Sequence, residues 1–450
     1  MVAAAPVVMA AFAAALFGCR EAPATRPPNI LLVIADDLGV DVTHAPDGHR
    51  LAVSTPNLDR LAATGVTFTR TWANPVCSPS RATMLTGRYA FRTGVTNAVK
   101  KGRPGLPVEE FTLPEALDLA PELGYAHAAF GKWHLGNQDV GGRRAPNVAG
   151  FSHFEGSMFG ANPVKEPDVN GYFRWTHVTN GRTSLCEEYR ATRTVDDALA
   201  WIDARSTPWF AWFGFSLPHV PLTPPPDSLH SGPRPAAGDP VSTFRAMVEA
   251  MDTELGRLLD GVDASGEPTT VIFIGDNGTD PVVLRASGDE TGRGKGLPFE
   301  PGVHVPLFIA GHGVTTPGRT CDALTNTSDL FATILDLAGV PLETVRENAR
   351  ERTLDSISVM PHLASVDAPR TREYLFNEVV NQEAYTFRAV RDERYKLVRR
   401  RGLEMPREWL FDLSTDPAEA NDLLAVEPTR AVTEIHARLT RHLESLIEAP

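Results

Sequence analysis

Four apolar runs, each ending abruptly in residues that bind ions or move protons, constrain the fold of this chain more than any other feature. Ile30-Leu31-Leu32-Val33-Ile34-Ala35 ends in Asp36-Asp37-Leu38-Gly39. The run at 126–130 ends in Gly131-Lys132-Trp133-His134, that at 209–215 continues into Leu217-Pro218-His219, and that at 270–274 ends in Gly275-Asp276-Asn277. Runs of this length without polar alternation predict strands buried on both faces, as in a parallel sheet covered by helices. Open α/β sheets bind ligands beyond the carboxyl ends of their strands, so Asp36, Asp37, Lys132, His134, His219, Asp276 and Asn277 can converge there. Each one alone has a plain structural explanation, such as solvated turn aspartates or a core histidine beside proline. Four together do not. Two adjacent carboxylates at the end of a buried strand are costly without a counter-charge, which predicts a cation beside Asp36 and Asp37.

Between these runs the pattern turns helical. Segments at 55–65, 194–203 and 244–259 carry apolar residues at helical spacing, and 329–339 is a helix closed by Gly339. Met247 and Met251 fall on the buried stripe and read as core. Shorter strands are expected at 66–69 and 304–310. Residues 137–190 show weak periodicity and read as a long excursion over the active face; the Pro-rich 221–240 segment reads as loop. Within the excursion, Tyr172, Arg174, Trp175 and Arg182 suit either recognition of a ring or acidic sugar, or anchoring of the loop. Past residue 345 the style changes to short strands at 374–380, 386–391, 395–399 and 409–413. A closing helix follows with Val432, Ile435, Leu439, Leu443 and Leu446 on one face. The expected architecture is a large α/β unit over 28–345 and a smaller antiparallel sheet with a covering helix over 346–450.

Charge and cysteine usage set the context. The chain has 450 residues and a formal charge of −13, with no basic stripe, which argues against a nucleic-acid partner. An apolar, Ala-rich run at 7–17 reads as the core of a signal peptide over 1–18. Leu16-Phe17-Gly18-Cys19 looks like a bacterial lipobox that would put lipid on Cys19, although no Lys or Arg precedes the run and Phe17 is bulky there. Ala13-Ala14-Ala15 offers an ordinary cleavage site instead. Residues 19–27 would be a polar tether, and the expected location is the periplasm or cell envelope. Cys186 and Cys321 are read as two separate buried thiols rather than a disulfide.

The remaining cysteine lies in Cys77-Ser78-Pro79-Ser80-Arg81-Ala82-Thr83-Met84-Leu85-Thr86-Gly87-Arg88. Pro79 suits the first turn of a helix, with Ser78 as N-cap and Gly87 as the stop, so Cys77 is expected just ahead of a helix N-terminus. Taken alone it is compatible with a thiolate nucleophile, half of a disulfide, or a buried filler. Oxygen donors from Asp36, Asp37, Asp276 and Asn277 would favour a hard cation, Ca2+ over Zn2+, with Mg2+ the alternative. Arg81, Lys132, His134, His219 and Lys295 add cations or proton donors around it.

The Cys77 segment resembles the sulfatase signature, C-x-P-S-R followed by x-x-x-L-T-G, in which cysteine is converted to formylglycine. Asp36-Asp37-Leu38-Gly39, Gly131-Lys132-Trp133-His134-Leu135-Gly136, Pro218-His219, Asp276-Asn277-Gly278 and Lys295-Gly296 extend the resemblance over most of the chain. Leu410-Phe411-Asp412-Leu413 and Asp416-Pro417 resemble the family's C-terminal subdomain. The resemblance implies an alkaline-phosphatase-like α/β fold, with a mixed, mostly parallel sheet sandwiched by helices, and hydrolysis of aryl or carbohydrate sulfate esters. It implies a metal held by Asp36, Asp37, residue 77, Asp276 and Asn277. Arg81 and His134 would hold the formylglycine hydrate, Lys132 and Lys295 the sulfate. His219, with Lys295, would be the acid, and Asp276 a base. The implied partners are a sulfated small molecule or glycan and a formylglycine-generating maturation enzyme. One departure is Glu300-Pro301-Gly302-Val303-His304-Val305-Pro306, where the family commonly reads E-G-G-x-R-x-P. Two alternatives stand beside this reading: a phosphonate or phosphate ester hydrolase with the same machinery, and a lipoprotein that binds sulfated glycans without turnover.

Overall fold

The computed structural model describes residues 26–43, 51, 53–100, 102–161, 170–289, 291–349, 352–381, 384–402 and 406–449. The signal segment, Cys19 and most of the tether lie outside the described residues. In chain order the first strands are β1 (Asn29–Ala35), β2 (Gly65–Phe68), β3 (Thr71–Trp72), β4 (Ala126–Lys132), β5 (His153–Ser157) and β6 (Trp175–Thr179). They are followed by β7 (Arg182–Cys186), β8 (Trp209–Gly214), β9 (Thr269–Gly275), β10 (Leu307–Gly311), β11 (Arg319–Cys321) and β12 (Thr325–Asn326).

Ten of these strands form one sheet in the order β11-β2-β10-β9-β1-β8-β4-β5-β6-β7. The middle five, β9-β1-β8-β4-β5, are parallel, while β10, β6 and β7 each run antiparallel to a neighbour. The four apolar runs are β1, β4, β8 and β9. Every residue of β1 is buried, because alternate side chains enter two separate cores. Ile30, Leu32 and Ile34 join Trp212 and Ile274 beneath the Cys77–Thr86 and Asp329–Ala338 helices. Leu31 and Val33 join Phe213 and Phe273 beneath the Arg190–Asp203 and Pro240–Ala264 helices. Each such aliphatic side chain contributes about 1.5–3 kcal/mol, which makes the sheet centre the rigid part of the molecule.

The strands also end at one level. Ile34 and Gly131 both lie opposite Gly214, and Ala35 lies opposite Gly275, so the residues that follow emerge side by side.

The 137–190 segment departs from its expected irregular form. Residues His153–Ser157 extend the parallel sheet, and β6 and β7 add an antiparallel edge. These strands are short and mixed in polarity because they sit toward the edge, where burial demands no continuous apolar run. Residues 304–306, expected in a strand, instead follow the short Glu300–Val303 helix, and the strand begins at Leu307.

Cys186 ends β7 and Cys321 ends β11, the two opposite edges of the sheet, so both are free thiols; Cys186 is buried as expected, whereas Cys321, on an edge strand, is only half-buried.

A separate antiparallel meander is formed by β13 (Leu375–Asn381), β14 (Tyr385–Arg391), β15 (Tyr395–Gly402) and β16 (Arg407–Asp412). One face, with Leu375, Phe387, Val398 and Phe411, packs against Trp72, Phe299 and Val303. The Arg430–Glu448 helix covers the other through Leu439 and Leu443. A buried ion cluster pins the two units: Lys396 lies 3.0 Å from Glu300 Oε1 and 2.8 Å from Glu419 Oε1, and Trp72 Nε1 donates to Glu300 Oε1. Glu300 also meets His304 Nδ1 at 3.2 Å, so the departing Pro301 and His304 belong to this junction. Among the described residues no helix is long and apolar enough to cross a membrane.

Candidate active site

The carboxyl ends of β1, β4 and β9 and the start of one helix build a charged floor. Asp36 and Asp37 follow β1, Lys132 ends β4, and Asp276 and Asn277 follow β9; all are fully buried. Lys132 Nζ lies 2.5 Å from Asp36 Oδ2. Arg81, also fully buried, reaches up from the Cys77–Thr86 helix: Nε donates to Asp276 Oδ2 at 2.9 Å, and an Nη donates to the Lys132 carbonyl at 2.7 Å. Glycine at 214 makes this passage available, since a Cβ there would lie 2.6 Å from the Lys132 carbonyl oxygen and 2.8 Å from Arg81 Nη1.

The helix begins two residues earlier than expected. Cys77 is its first residue, Val76 occupies the N-cap position, and Gly87 closes it in the left-handed region. Ser78 does not cap, because its hydroxyl is engaged elsewhere. It donates to the His134 carbonyl at 2.8 Å and accepts from Val99 N–H at 2.9 Å. His134 is delivered by a turn. Its φ of 61° turns the chain after Lys132, and the ring lands with Nδ1 3.1 Å from Cys77 Sγ and Nε2 3.1 Å from the Val99 carbonyl. A carbonyl only accepts, so the ring hydrogen is on Nε2 and Nδ1 faces residue 77 as an acceptor. Burial, aided by Lys132, holds His134 well below its ordinary value, which keeps it neutral. Burial also raises the Cys77 thiol despite Lys132 and Lys295, so the helix start does not produce a thiolate.

On the open side, Lys295 Nζ lies 2.7 Å from both oxygens of Asp37, and Asn277 Nδ2 donates to Asp37 Oδ1 at 2.8 Å. His219 gives its Nδ1–H to the Val220 carbonyl and turns Nε2 toward Asp37 at 3.8 Å. His219 and Lys295 side chains are 17% and 16% exposed, against a floor that is dry, so the pocket is charged throughout but open at one end. All ten residues singled out in the sequence thus meet in one place.

Charge balance indicates what the pocket lacks. Burial pushes Asp36 up, yet Lys132, His219, Arg81 and Lys295 hold it well below the usual carboxylate range. Asp276 is instead raised to about 6 by burial and by Asp36, against Arg81 and Lys132. Three carboxylates thus face Arg81, Lys132 and Lys295, and the floor is close to neutral. Asp36 Oδ1 and Asn277 Oδ1 are buried without a hydrogen-bond partner, and ligand atoms of Asp36, Cys77 and Asp276 lie within 4.8 Å of one another. Orphaned oxygens among clustered carboxylates fit a hard divalent cation, which would also make the floor net positive.

Several supporting residues carried no clear sequence signal. Tyr172 is buried and its hydroxyl bridges the Ser216 and His219 carbonyls at 2.6 and 2.5 Å, while the buried Trp175 donates to the Glu188 carbonyl; both are anchors. Arg174 pairs with Glu187 at the surface and Arg182 is exposed. Arg190 sits in an unremarkable helix start, yet is 2% exposed and bonded to Phe159, Gly171, Asn170 and Ser157. A strand or helix pattern cannot reveal such backbone-directed contacts.

Comparison with known proteins agrees with this geometry. The family profile Sulfatase matches residues 28–340, and N-sulphoglucosamine sulphohydrolase, C-terminal, matches 293–449. N-acetylgalactosamine-6-sulfatase of Mus musculus is 31% identical over 377 residues, 76% of this chain and 68% of its own length. Arylsulfatase A of Homo sapiens is 32% identical over 399 residues, 82% of this chain and 74% of its own. The crystal structure of Ps i-CgsB in complex with k-i-k-neocarrahexaose shares the fold, with a TM-score of 0.76 at 24% identity, covering 93% of this chain and 92% of that one. The alkaline-phosphatase-like sheet, the assembled pocket and these matches have one conclusion: the chain belongs to the sulfatase family and is a sulfuric ester hydrolase.

Proposed function

We propose that the enzyme hydrolyses carbohydrate sulfate esters through a formylglycine made from Cys77, with a divalent cation, Ca2+ or alternatively Mg2+, in the pocket. The observation that carries this reading is the position of residue 77. It stands at a helix start, 3.1 Å from a neutral His134 Nδ1, within 4.8 Å of two buried carboxylates, with Arg81 behind it. Asp36, Asp37, Asp276, Asn277 and residue 77 would hold the cation, which would polarise bound oxygens and offset sulfate charge. As its hydrate, formylglycine supplies an oxygen nucleophile for sulfur and a second hydroxyl whose deprotonation frees sulfate.

The chain's own groups account for the rest. His134 Nδ1 accepts a hydrogen bond from a hydroxyl on residue 77 and fixes its direction. Arg81 and Lys132 hold charge on the dry side of the pocket, where it stabilises a developing anion far better than in water. Asp276 lies in reach of residue 77 as a base. His219 and Lys295, on the open side, are placed to give a proton to the departing alcohol. Reaction of the ester with water then yields the alcohol and inorganic sulfate.

A carbohydrate substrate is supported by the named relative N-acetylgalactosamine-6-sulfatase and by the neocarrahexaose in the neighbouring structure. Export, lipid attachment at Cys19 and dependence on a formylglycine-generating enzyme complete the proposal. The test uses enzyme co-produced with such a maturation enzyme and assayed on matched sulfate and phosphate esters. Release of sulfate well above phosphate, abolished in Cys77→Ala, is expected. Preferential phosphate release would move the activity to phosphate esters, and no turnover of either would favour a binding protein.

A further inference from the structure

Beside His134 stands an aromatic ring that the chemistry described above does not use. The chain leaves β5 at Ser157 and runs alongside the charged floor. A Cβ added at Gly160 would lie 3.4 Å from Lys132 Nζ and 3.7 Å from Asp36 Oδ2, so the backbone here borders the charged floor. Phe159, one residue earlier, is 41% exposed, and its ring stands edge-to-face against His134 at 5.9 Å and 84°. His134 in turn touches residue 77. An exposed phenylalanine alone is unremarkable. This one is held in place by buried polar groups. Its carbonyl accepts from Ser157 Oγ at 2.9 Å and from Arg190 Nη1 at 3.2 Å. Arg190 also donates to Asn170 Oδ1 at 3.1 Å and to the Gly171 carbonyl at 2.9 Å, and lies over the Trp175 ring at 4.9 Å. Burying a guanidinium among neutral acceptors is costly, and what it secures is the backbone that carries Phe159.

We propose that Phe159 is the wall against which the ring bearing the sulfate group packs, which makes it a specificity-determining residue for cyclic over acyclic sulfate esters. The inference rests on the sulfatase reading above. A pyranose presents a face of C–H bonds, an aryl group a π face, and both pack on an exposed aromatic ring; a short acyclic chain offers little area to it. The charged groups recognise the sulfate that all substrates share, and Phe159 recognises what carries it.

The test is steady-state kinetics of wild type, Phe159→Ala and Phe159→Trp on two matched primary sulfates, galactose 6-sulfate and propyl sulfate. The expected result is a KM for the hexose raised about tenfold in Phe159→Ala, the size of one good aromatic contact. kcat stays close to wild type, propyl sulfate kinetics are unchanged, and Phe159→Trp returns the hexose KM to within about threefold. Equal changes on both substrates, or none on the hexose, would overturn the inference while leaving the sulfatase reading intact. Wild-type enzyme that hydrolyses neither ester would instead remove the reading and this inference with it.

Discussion

Lys132→Met is the perturbation that separates charge compensation from catalysis most cleanly. Methionine matches the length of lysine but carries no charge, and Lys132 is fully buried with its ammonium 2.5 Å from Asp36. Loss of one partner of a buried pair costs about 3–5 kcal/mol, because the carboxylate left behind is dry and loses its direct counter-charge, keeping only the farther charges of Arg81 and Lys295. At roughly 2 °C per kcal/mol for a chain of this size, the midpoint of thermal unfolding in chelator should fall by about 6–10 °C. The double variant Lys132→Met/Asp36→Asn removes both charges and should return to within about 1 kcal/mol of wild type, a coupling that only direct neighbours show. Activity should behave differently. With divalent cation present, kcat should drop roughly 10²–10³-fold in Lys132→Met, and the double variant should not recover it. Differential scanning fluorimetry in chelator and initial rates in Ca2+ read the two effects. A single variant within about 2 °C of wild type in chelator would refute the buried-pair argument; an unchanged kcat would refute a role at the reacting group.

Other expectations follow from the same contacts. Ca2+ at a hundred times its Kd should stabilise wild type by about 2.7 kcal/mol, and Asn277→Leu, which removes an orphaned oxygen donor, should lose most of that Ca2+-minus-chelator difference. Gly214→Ala places a methyl group 2.8 Å from Arg81 Nη1 and should cost about 1–3 kcal/mol of stability and up to about 10² in kcat/KM, measured by unfolding and by turnover. Lys396→Met leaves Glu300 and Glu419 buried without their shared cation, so stability should fall by about 3–5 kcal/mol and the small sheet should become protease-sensitive. Turnover per folded molecule should stay within about twofold, since Lys396, Glu300 and Glu419 contribute no side chain to the charged floor.

The centre of the fold and the floor of the site were both legible in the sequence for one reason. A strand buried on both faces admits only apolar residues, so the change to Asp36-Asp37, Lys132 or Asp276-Asn277 marks where it leaves the core. The small sheet was equally plain, since Leu439 and Leu443 at helical spacing need an apolar face to cover. Where the pattern failed, another force was at work. His153–Ser157 forms a strand by pairing with both β4 and β6, with Phe154 as its one large apolar residue, and residues 175–186 pair as a hairpin of mixed polarity. Ser78 has the composition of an N-cap but is drawn to the His134 carbonyl, which shifts the helix start onto Cys77. Tyr172 and Trp175 were ambiguous between recognition and anchoring because both uses need an aromatic with a polar tip; burial decides for anchoring. Phe159 and Arg190 act through backbone positions that no periodicity encodes.

The most direct test of the formylglycine mechanism is the mass of the tryptic peptide from Thr71 to Arg81 in protein from a host that makes formylglycine. The expected peptide has the thiol of residue 77 replaced by an aldehyde, partly hydrated, in protein that also hydrolyses sulfate esters. An unmodified Cys77 in folded protein with full sulfate-ester activity would contradict it.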